Sequence, residues 1–221
     1  MRPRALVLWS ELATLEATAP SWTALAAGLP TGFRIGIEES LRESDRRLRL
    51  LGRLLLAQAL VRLGAAGHPD LSFDGLGRPH LAGALDPSIS HTDGLACAAV
   101  GVGCRIGVDV EARHPIEPSL YDRILAPDER RDVIRSEDPD AAFLGFWTMK
   151  EAAAKADGRG LQLDPRQLTC RAGSAFRGAA VRVDATPYRV RALPLPAGWI
   201  GHLAHDAPRP VDLAAEAYSF S

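Results

Sequence analysis

The sequence predicts an α+β fold, and three observations carry that expectation. Two stretches have helical periodicity, residues 40–63 and 140–156. Short alternating or apolar runs read as strands at 88–91, 95–102, 106–112, 180–183 and 188–191. Helices and strands follow one another without the regular alternation that builds a parallel sheet.

The first long helix is expected over residues 40–63, Ser40 through Leu63, with Leu48, Leu51, Leu54 and Leu55 on one side and Arg42, Arg46, Arg49 and Arg53 on the other. The segment from Gly64 to Pro69 closes it. Four arginines at i, i+4, i+7 and i+11 form one stripe, which suits a solvated face paired with Glu43 and Asp45 or, alternatively, a grip on phosphate. Phe73 to Pro79, with Gly75 and Gly77, reads as a turn between short extended segments. Leu95–Val102, a turn at Gly103-Cys104-Arg105, and Ile106–Ala112 read as a hairpin. Charged helical sequence runs from Ser119 to about Ser136 with a break at Pro127, and the second long helix ends before Gly158 and Gly160. Prolines 194, 196, 208 and 210 punctuate the tail.

Composition excludes several classes. At 221 residues, 47% hydrophobic and 24% charged, the chain can bury a sizeable core and is neither disordered nor a disulfide scaffold. Twenty-six basic against 27 acidic residues give a net charge of −1, so a nucleic-acid partner is not expected. The longest uncharged apolar stretch, Gly94 to Cys104, is about half a membrane span, and the apolar run Ala5 to Trp9 is too short for a signal peptide. Neither a membrane nor export is expected, and the location is expected to be cytoplasmic. Cys97, Cys104 and Cys170 fit no zinc spacing and read as reduced thiols.

Twenty-four of the 26 basic residues are arginine, and the only lysines, Lys150 and Lys155, flank Glu151. A chain that uses arginine wherever a cation suffices keeps lysine where a compact ammonium is needed. On a strand through Gly107-Val108-Asp109-Val110-Glu111 the two carboxylates point to one face, which suits a solvated surface or a hard divalent cation. Glu151 and Lys155 share a helix face, as a surface ion pair or as a third carboxylate beside the first two. His91 after Ser90, and Arg78 after the Gly77 turn, are surface groups or phosphate contacts.

Gly107-Val108-Asp109-Val110-Glu111, Trp147-Thr148-Met149-Lys150-Glu151-Ala152 with Lys155, Gly158-Arg159-Gly160, Gly77-Arg78-Pro79 and Ser88-Ile89-Ser90-His91 together resemble the 4′-phosphopantetheinyl transferases. The likeness runs from about residue 40 to 170, and the length suits the larger, surfactin-synthetase-activating subclass. The resemblance implies a pseudo-dimer of two similar α+β halves, residues 1–104 and 105–221, with the active site in the cleft between them. It implies Mg²⁺ held by Asp109, Glu111 and Glu151. It implies coenzyme A contacts from Arg78, Ser90, His91, Lys150 and Lys155, with Arg46, Arg49 and Arg53 as candidates for the 3′-phosphate. Glu151 and Glu129 compete as the base, and Lys155 steadies the leaving group. The reaction implied moves phosphopantetheine from coenzyme A to a serine of an acyl, peptidyl or aryl carrier protein, by a monomer. Arginines 123, 130, 131 and 135 are the expected steering charges for that carrier. Two features depart from the family pattern: Ala153 stands where an aromatic is usual, and only Arg34 is a counterpart for the basic residues before the first long helix.

Overall fold

The computed structural model describes residues 2–18, 21–39, 42–65, 69–172 and 179–220. The chain divides into two compact units, Met1–Gly103 with Val211–Ser221, and Cys104–Pro210. The C-terminal strand thus belongs to the first unit, whereas the sequence alone assigns everything from residue 105 onward to the second half.

In the first unit β1 (Arg4–Glu11) leads into three short helices, α1 (Leu12–Thr18), α2 (Trp22–Ala27) and α3 (Thr31–Arg34), and then the long α4 (Glu43–Arg62). A small hairpin, β2 (Leu71–Phe73) with β3 (Pro79–Leu81), precedes β4 (Leu85–Thr92) and β5 (Leu95–Val102). With β11 (Asp212–Ala217) they make a four-stranded sheet ordered β11-β1-β5-β4, parallel only between β1 and β11. Leu51, Leu55, Leu56 and Leu60 of α4 are fully buried and pack with Leu8, Phe33 and Ala98 in one core. Gly52 lets α4 lie close to this sheet, since a Cβ there would stand 2.8 Å from Ile89 Cγ2.

The expected helix over 40–63 is observed from Glu43 to Arg62; Ser40 and Leu41, and residues 66–68 of the closing segment, lie outside the described residues. The expected hairpin of 95–102 with 106–112 is not formed. Residues 95–102 pair with β1 and β4, so the hairpin is β4–β5, turned at Asp93-Gly94. Residues 106–112 start a second sheet instead.

That sheet, in the second unit, is ordered β6-β10-β9-β8-β7: β6 (Ile106–Ala112), β7 (Thr169–Ala172), β8 (Ala179–Val183), β9 (Thr186–Ala192) and β10 (Trp199–His205), antiparallel throughout. Residues 173–178, between β7 and β8, are outside the described residues. Between β6 and the sheet's later strands come α5 (Tyr121–Ile124), α6 (Pro127–Arg135) and α7 (Pro139–Asp157). The expected break at Pro127 is observed: α5 ends at Ile124, and Pro127 opens α6 at its first position, where a missing N–H costs nothing. Asp138 caps α7 by accepting from Ala141 N at 2.9 Å, and Gly158 ends it in the left-handed conformation, φ 102°.

The sheet-facing side of α7 is built from Ala152, Ala153, Ala154 and Ala156, all buried against Val181, Val190 and Ala204. Opposite them stands Gly107. A Cβ built there would lie 2.0 Å from Ala152 O and 2.5 Å from Ala156 N, so only glycine permits this approach of helix to strand. Among the described residues no helix is long and apolar enough to cross a membrane. The three cysteines are free thiols; Cys97 is buried and the other two are half-buried.

Candidate active site

The close approach of α7 to β6 brings the second unit's motif residues together. Asp109 and Glu111 leave β6 on the side facing α7, and neither is a simple solvated carboxylate. Asp109 is 5% exposed and accepts from Lys155 Nζ through Oδ1 at 2.7 Å; the same ammonium donates to Val108 O at 3.1 Å. Glu111 accepts from the Trp147 indole N–H at 3.0 Å. Trp147, Glu151 and Lys155 lie at i, i+4 and i+8 on α7, one stripe of the helix. Burial, then the charges of Asp109 and Glu111, push the Glu151 carboxyl up to about 7 against the opposing pull of Lys155. Asp109, Glu111, Glu151 and Lys155 therefore form one electrostatic cluster.

Two residues expected in that cluster stand elsewhere. Lys150 is fully buried, and its ammonium donates to Ile124 O at 2.9 Å and Pro165 O at 2.8 Å and pairs with Glu129 Oε2 at 2.6 Å. An ammonium has three N–H bonds, and all three are spent inside the protein. Glu129 is likewise engaged on both oxygens: Oε2 also accepts from Ala126 N at 2.8 Å, and Oε1 from Cys170 N at 2.9 Å. The expectation that Lys150 contacts a phosphate and that Glu129 takes a proton is corrected, because neither side chain has a donor or an open face left to offer. Burial, with Glu129 beside it, raises the Cys170 thiol far above its ordinary range, so it is no nucleophile.

Two contacts are not foreseen by the sequence. Trp147 belongs to the motif, but only its indole on Glu111 gives it a role; the signal available was its position four residues before Glu151. Thr148 and His202 are joined at 2.7 Å between Oγ1 and Nδ1, while Thr148 Oγ1 also lies 2.7 Å from Leu144 O. A carbonyl has no proton to give, so the threonine proton sits on that carbonyl and His202 Nδ1–H is the donor to Oγ1. Burial lowers His202 to about 4 and keeps it neutral. Arg159, between the two glycines of its motif, is held by Asp157 at 2.6 Å and Asp184 at 2.8 Å.

The first unit holds the remaining candidates. Arg46, Arg49 and Arg53 lie along α4. Arg46 stands 3.9 Å from Glu38, Arg49 donates to Gly36 O at 3.3 Å, and the Arg53 guanidinium sits 4.1 Å above the Phe73 ring. Among the described residues Arg49 and Arg53 have no ion-pair partner, and burial together with Arg49 lowers Arg53 to about 10. Arg78 is buried and held by both oxygens of Asp86, at 2.9 and 2.8 Å. Ser90 is buried on β4, and His91 beside it is exposed.

Comparison with known proteins bears on the second unit above all. Residues 105–192 match the family model of the 4′-phosphopantetheinyl transferase superfamily. The chain is 28% identical over 133 residues to the 4′-phosphopantetheinyl transferase psf-1 of Bacillus pumilus, covering 58% of this chain and 57% of that protein. It is 32% identical over 105 residues to the 4′-phosphopantetheinyl transferase HetI of a Nostoc species, covering 43% of this chain and 44% of that protein. The chain spans about half the length of the curated relatives it matches. A solved structure, the holo-[acyl-carrier-protein] synthase of Thermotoga maritima, is similar at a TM-score of 0.41 and 20% identity, over 48% of this chain and 65% of that one. Asp109, Glu111, Trp147, Glu151 and Lys155 all fall inside residues 105–192, the stretch that matches the model of the 4′-phosphopantetheinyl transferase superfamily.

Proposed function

We propose that the protein transfers the 4′-phosphopantetheine group of coenzyme A to a serine hydroxyl of an acyl, peptidyl or aryl carrier protein, releasing adenosine 3′,5′-bisphosphate. The observation that carries this reading is the cluster of Asp109, Glu111, Glu151 and Lys155, formed where α7 meets β6 within the matched stretch. The finer expectation of two similar halves draws support from the likeness of the units taken singly, since each packs one long helix, of 20 and 19 residues, on a sheet dominated by antiparallel pairs.

Asp109, Glu111 and Glu151 would hold a divalent cation. The donors fit in kind: all are carboxylate oxygens, and Glu151 is pushed up by burial first and then by the charges of Asp109 and Glu111, which a cation at the cluster would offset. Among the described residues no group of three or more His, Cys, Asp or Glu side chains is placed to hold a metal ion; a Mg²⁺ ion needs only one or two carboxylates and takes water and substrate oxygens at its other positions. When bound, such an ion neutralises pyrophosphate charge.

In the transfer the serine oxygen forms a bond to phosphorus as the bond to the bisphosphate oxygen breaks, and the serine proton passes to a base. Lys155, half-buried and held at Asp109, steadies the charge growing on the leaving oxygen. With Glu129 closed off, Glu151 is the carboxylate left to receive the proton. Arg49 and Arg53, two adjacent cations without acidic partners among the described residues, suit the 3′-phosphate, and His91 is exposed enough to join them in holding the nucleotide. Of the four steering arginines, Arg130 is paired with Asp122 at 2.8 Å and Arg131 with Asp128, while Arg123 and Arg135 have no ion-pair partner among the described residues. The acidic carrier is met chiefly by Arg123 and Arg135.

The test is the mass of an apo carrier protein after incubation with this protein, coenzyme A and Mg²⁺. A gain of one phosphopantetheine group is expected, and no gain on acyl, peptidyl or aryl carriers would overturn the reading.

A further inference from the structure

The rotation of α7 about its own axis decides where Glu151 and Lys155 point; Phe143 and Leu144 anchor its N-terminal half beside Tyr121 and Val133, and the half that carries Glu151 and Lys155 packs mainly through small side chains. The sheet side of the helix is a run of alanines, Ala152, Ala153, Ala154 and Ala156, facing Gly107. Methyl groups against a bare backbone provide no large knob to lock one rotation. The side chains on a helix lie roughly 5–6 Å from its axis, so a turn of about 20° displaces them by about 2 Å.

Directed bonds supply what the packing lacks. Lys150, one residue before Glu151, spends its three N–H bonds on Ile124 O, Pro165 O and Glu129 Oε2. Those three acceptors come from the end of α5, the 3₁₀ turn Pro165–Gln167 and α6. Glu129 in turn ties Ala126 N at the start of α6 to Cys170 N on β7. The paired side chains are 0% and 4% exposed. Burying such a pair costs desolvation, and a well-packed apolar pair commonly gives equal or greater stability. Stability alone gives no reason for this arrangement; direction does, since three hydrogen bonds run from Lys150 on α7 to three separate acceptors, and two more hold Glu129, one of those acceptors, in place.

We propose that Lys150 and Glu129 are a positioning pair, which fixes the rotation of α7 so that Trp147, Glu151 and Lys155 face β6. The proposal rests on the reading of that face as the transfer site, but its geometry is testable without turnover. Trp147 reports on it directly, because its indole N–H is bonded to Glu111 only in the observed rotation.

The experiment replaces both partners by apolar residues, Lys150→Met with Glu129→Leu, beside each single change. The double variant should melt below wild type, because Ile124 O, Pro165 O, Ala126 N and Cys170 N lose their partners, but no lower than the worse single variant, which also leaves a buried charge unpaired. The Trp147 indole N–H, assigned by its disappearance in Trp147→Phe, should exchange with solvent at least about tenfold faster in the double variant. With an apo carrier, kcat should fall by about 10- to 100-fold, with KM for coenzyme A changed by less than about threefold. The double variant should be no slower than the worse single variant, since the two residues act as one unit. Wild-type indole exchange in the folded double variant would overturn the proposal. So would multiplying single effects, or a rise of about tenfold or more in KM for coenzyme A on losing Lys150, which would return that lysine to the phosphates. If the wild-type protein modifies no carrier, the transfer reading fails by itself and indole exchange still decides the positioning. Should the double variant not fold, Glu129→Gln, which keeps the shape and turns one acceptor into a donor, takes its place. Faster indole exchange in that variant supports the positioning pair, and exchange at the wild-type rate overturns it.

Discussion

At the scale of single residues, the two lysines stand in different surroundings. Their scarcity in an arginine-rich chain marks both, and nothing in the spacing tells them apart. Three-dimensional contacts do: Lys150 is closed inside the protein, whereas Lys155 is part-exposed and shares its ammonium between Asp109 and a backbone carbonyl. Lys155→Ala is expected to lower kcat by about 10², the scale on which one charge-stabilising donor counts. Lys155→Arg should fall well short of rescue, since a planar guanidinium cannot occupy the place of a point-like ammonium against Asp109. Steady-state kcat for both variants with one carrier checks this, and full activity in the arginine variant would mean that any cation serves. Asp109→Ala and Glu111→Ala should each strongly reduce turnover and leave the fold intact. Both variants turning over like wild type at limiting Mg²⁺ would remove the carboxylates from the metal site.

At the scale of elements, Gly107 couples fold and site. Its Cβ position collides with Ala152 O and lies 2.9 Å from Lys155 Cβ, so Gly107→Ala must push β6 and α7 apart along the line where Asp109 meets Lys155. A cost of about 1–3 kcal/mol in denaturant unfolding is expected, the range for overpacking, accompanied by a loss of kcat larger than that of Gly52→Ala in the first unit. Wild-type kcat in Gly107→Ala would show that the site tolerates the shift. This contact also explains what sequence could and could not disclose. Both long helices, the strand carrying Asp109 and Glu111, and the helix stripe of Glu151 and Lys155 were legible, because periodicity and caps are local. The partner of β6 was not: residues 106–112 follow 95–102 through a tight turn that looks like a hairpin, yet β6 pairs with β10 some ninety residues later. Ordinary composition also hid β10 and β11, where His202 and His205 interrupt one run and alanines fill the other. Glu129 and Lys150 were legible as a pair of charged residues but not as each other's partners, since their meeting depends on how α6 docks on α7.

At the scale of the whole molecule, the two units have separate cores and differ in how acid reaches them. The second unit carries His202 and His205 on β10, both lowered from 6.5 to about 4, in each case chiefly by burial; His205 is 2% exposed. In the first unit the described histidines, His80 and His91, are exposed. The sign follows from which form the fold prefers. Above pH 6.5 both histidines are neutral folded or unfolded, and their environment contributes nothing that varies with pH. As pH falls from 6.5 towards 4 the unfolded chain takes up protons that the folded chain refuses, so stability is lost across that window and no further below it. Each histidine accounts for up to about 3 kcal/mol. Denaturant unfolding of the second unit, followed through Trp147 and Trp199, should therefore shift to lower denaturant between pH 6.5 and 4, while the transition of the first unit, followed through Trp9 and Trp22, responds far less. His202→Gln with His205→Gln should flatten the dependence in the second unit without altering that of the first. Equal acid sensitivity in both tryptophan pairs would show instead that the units unfold as one, and that the histidines of β10 govern the stability of the entire chain.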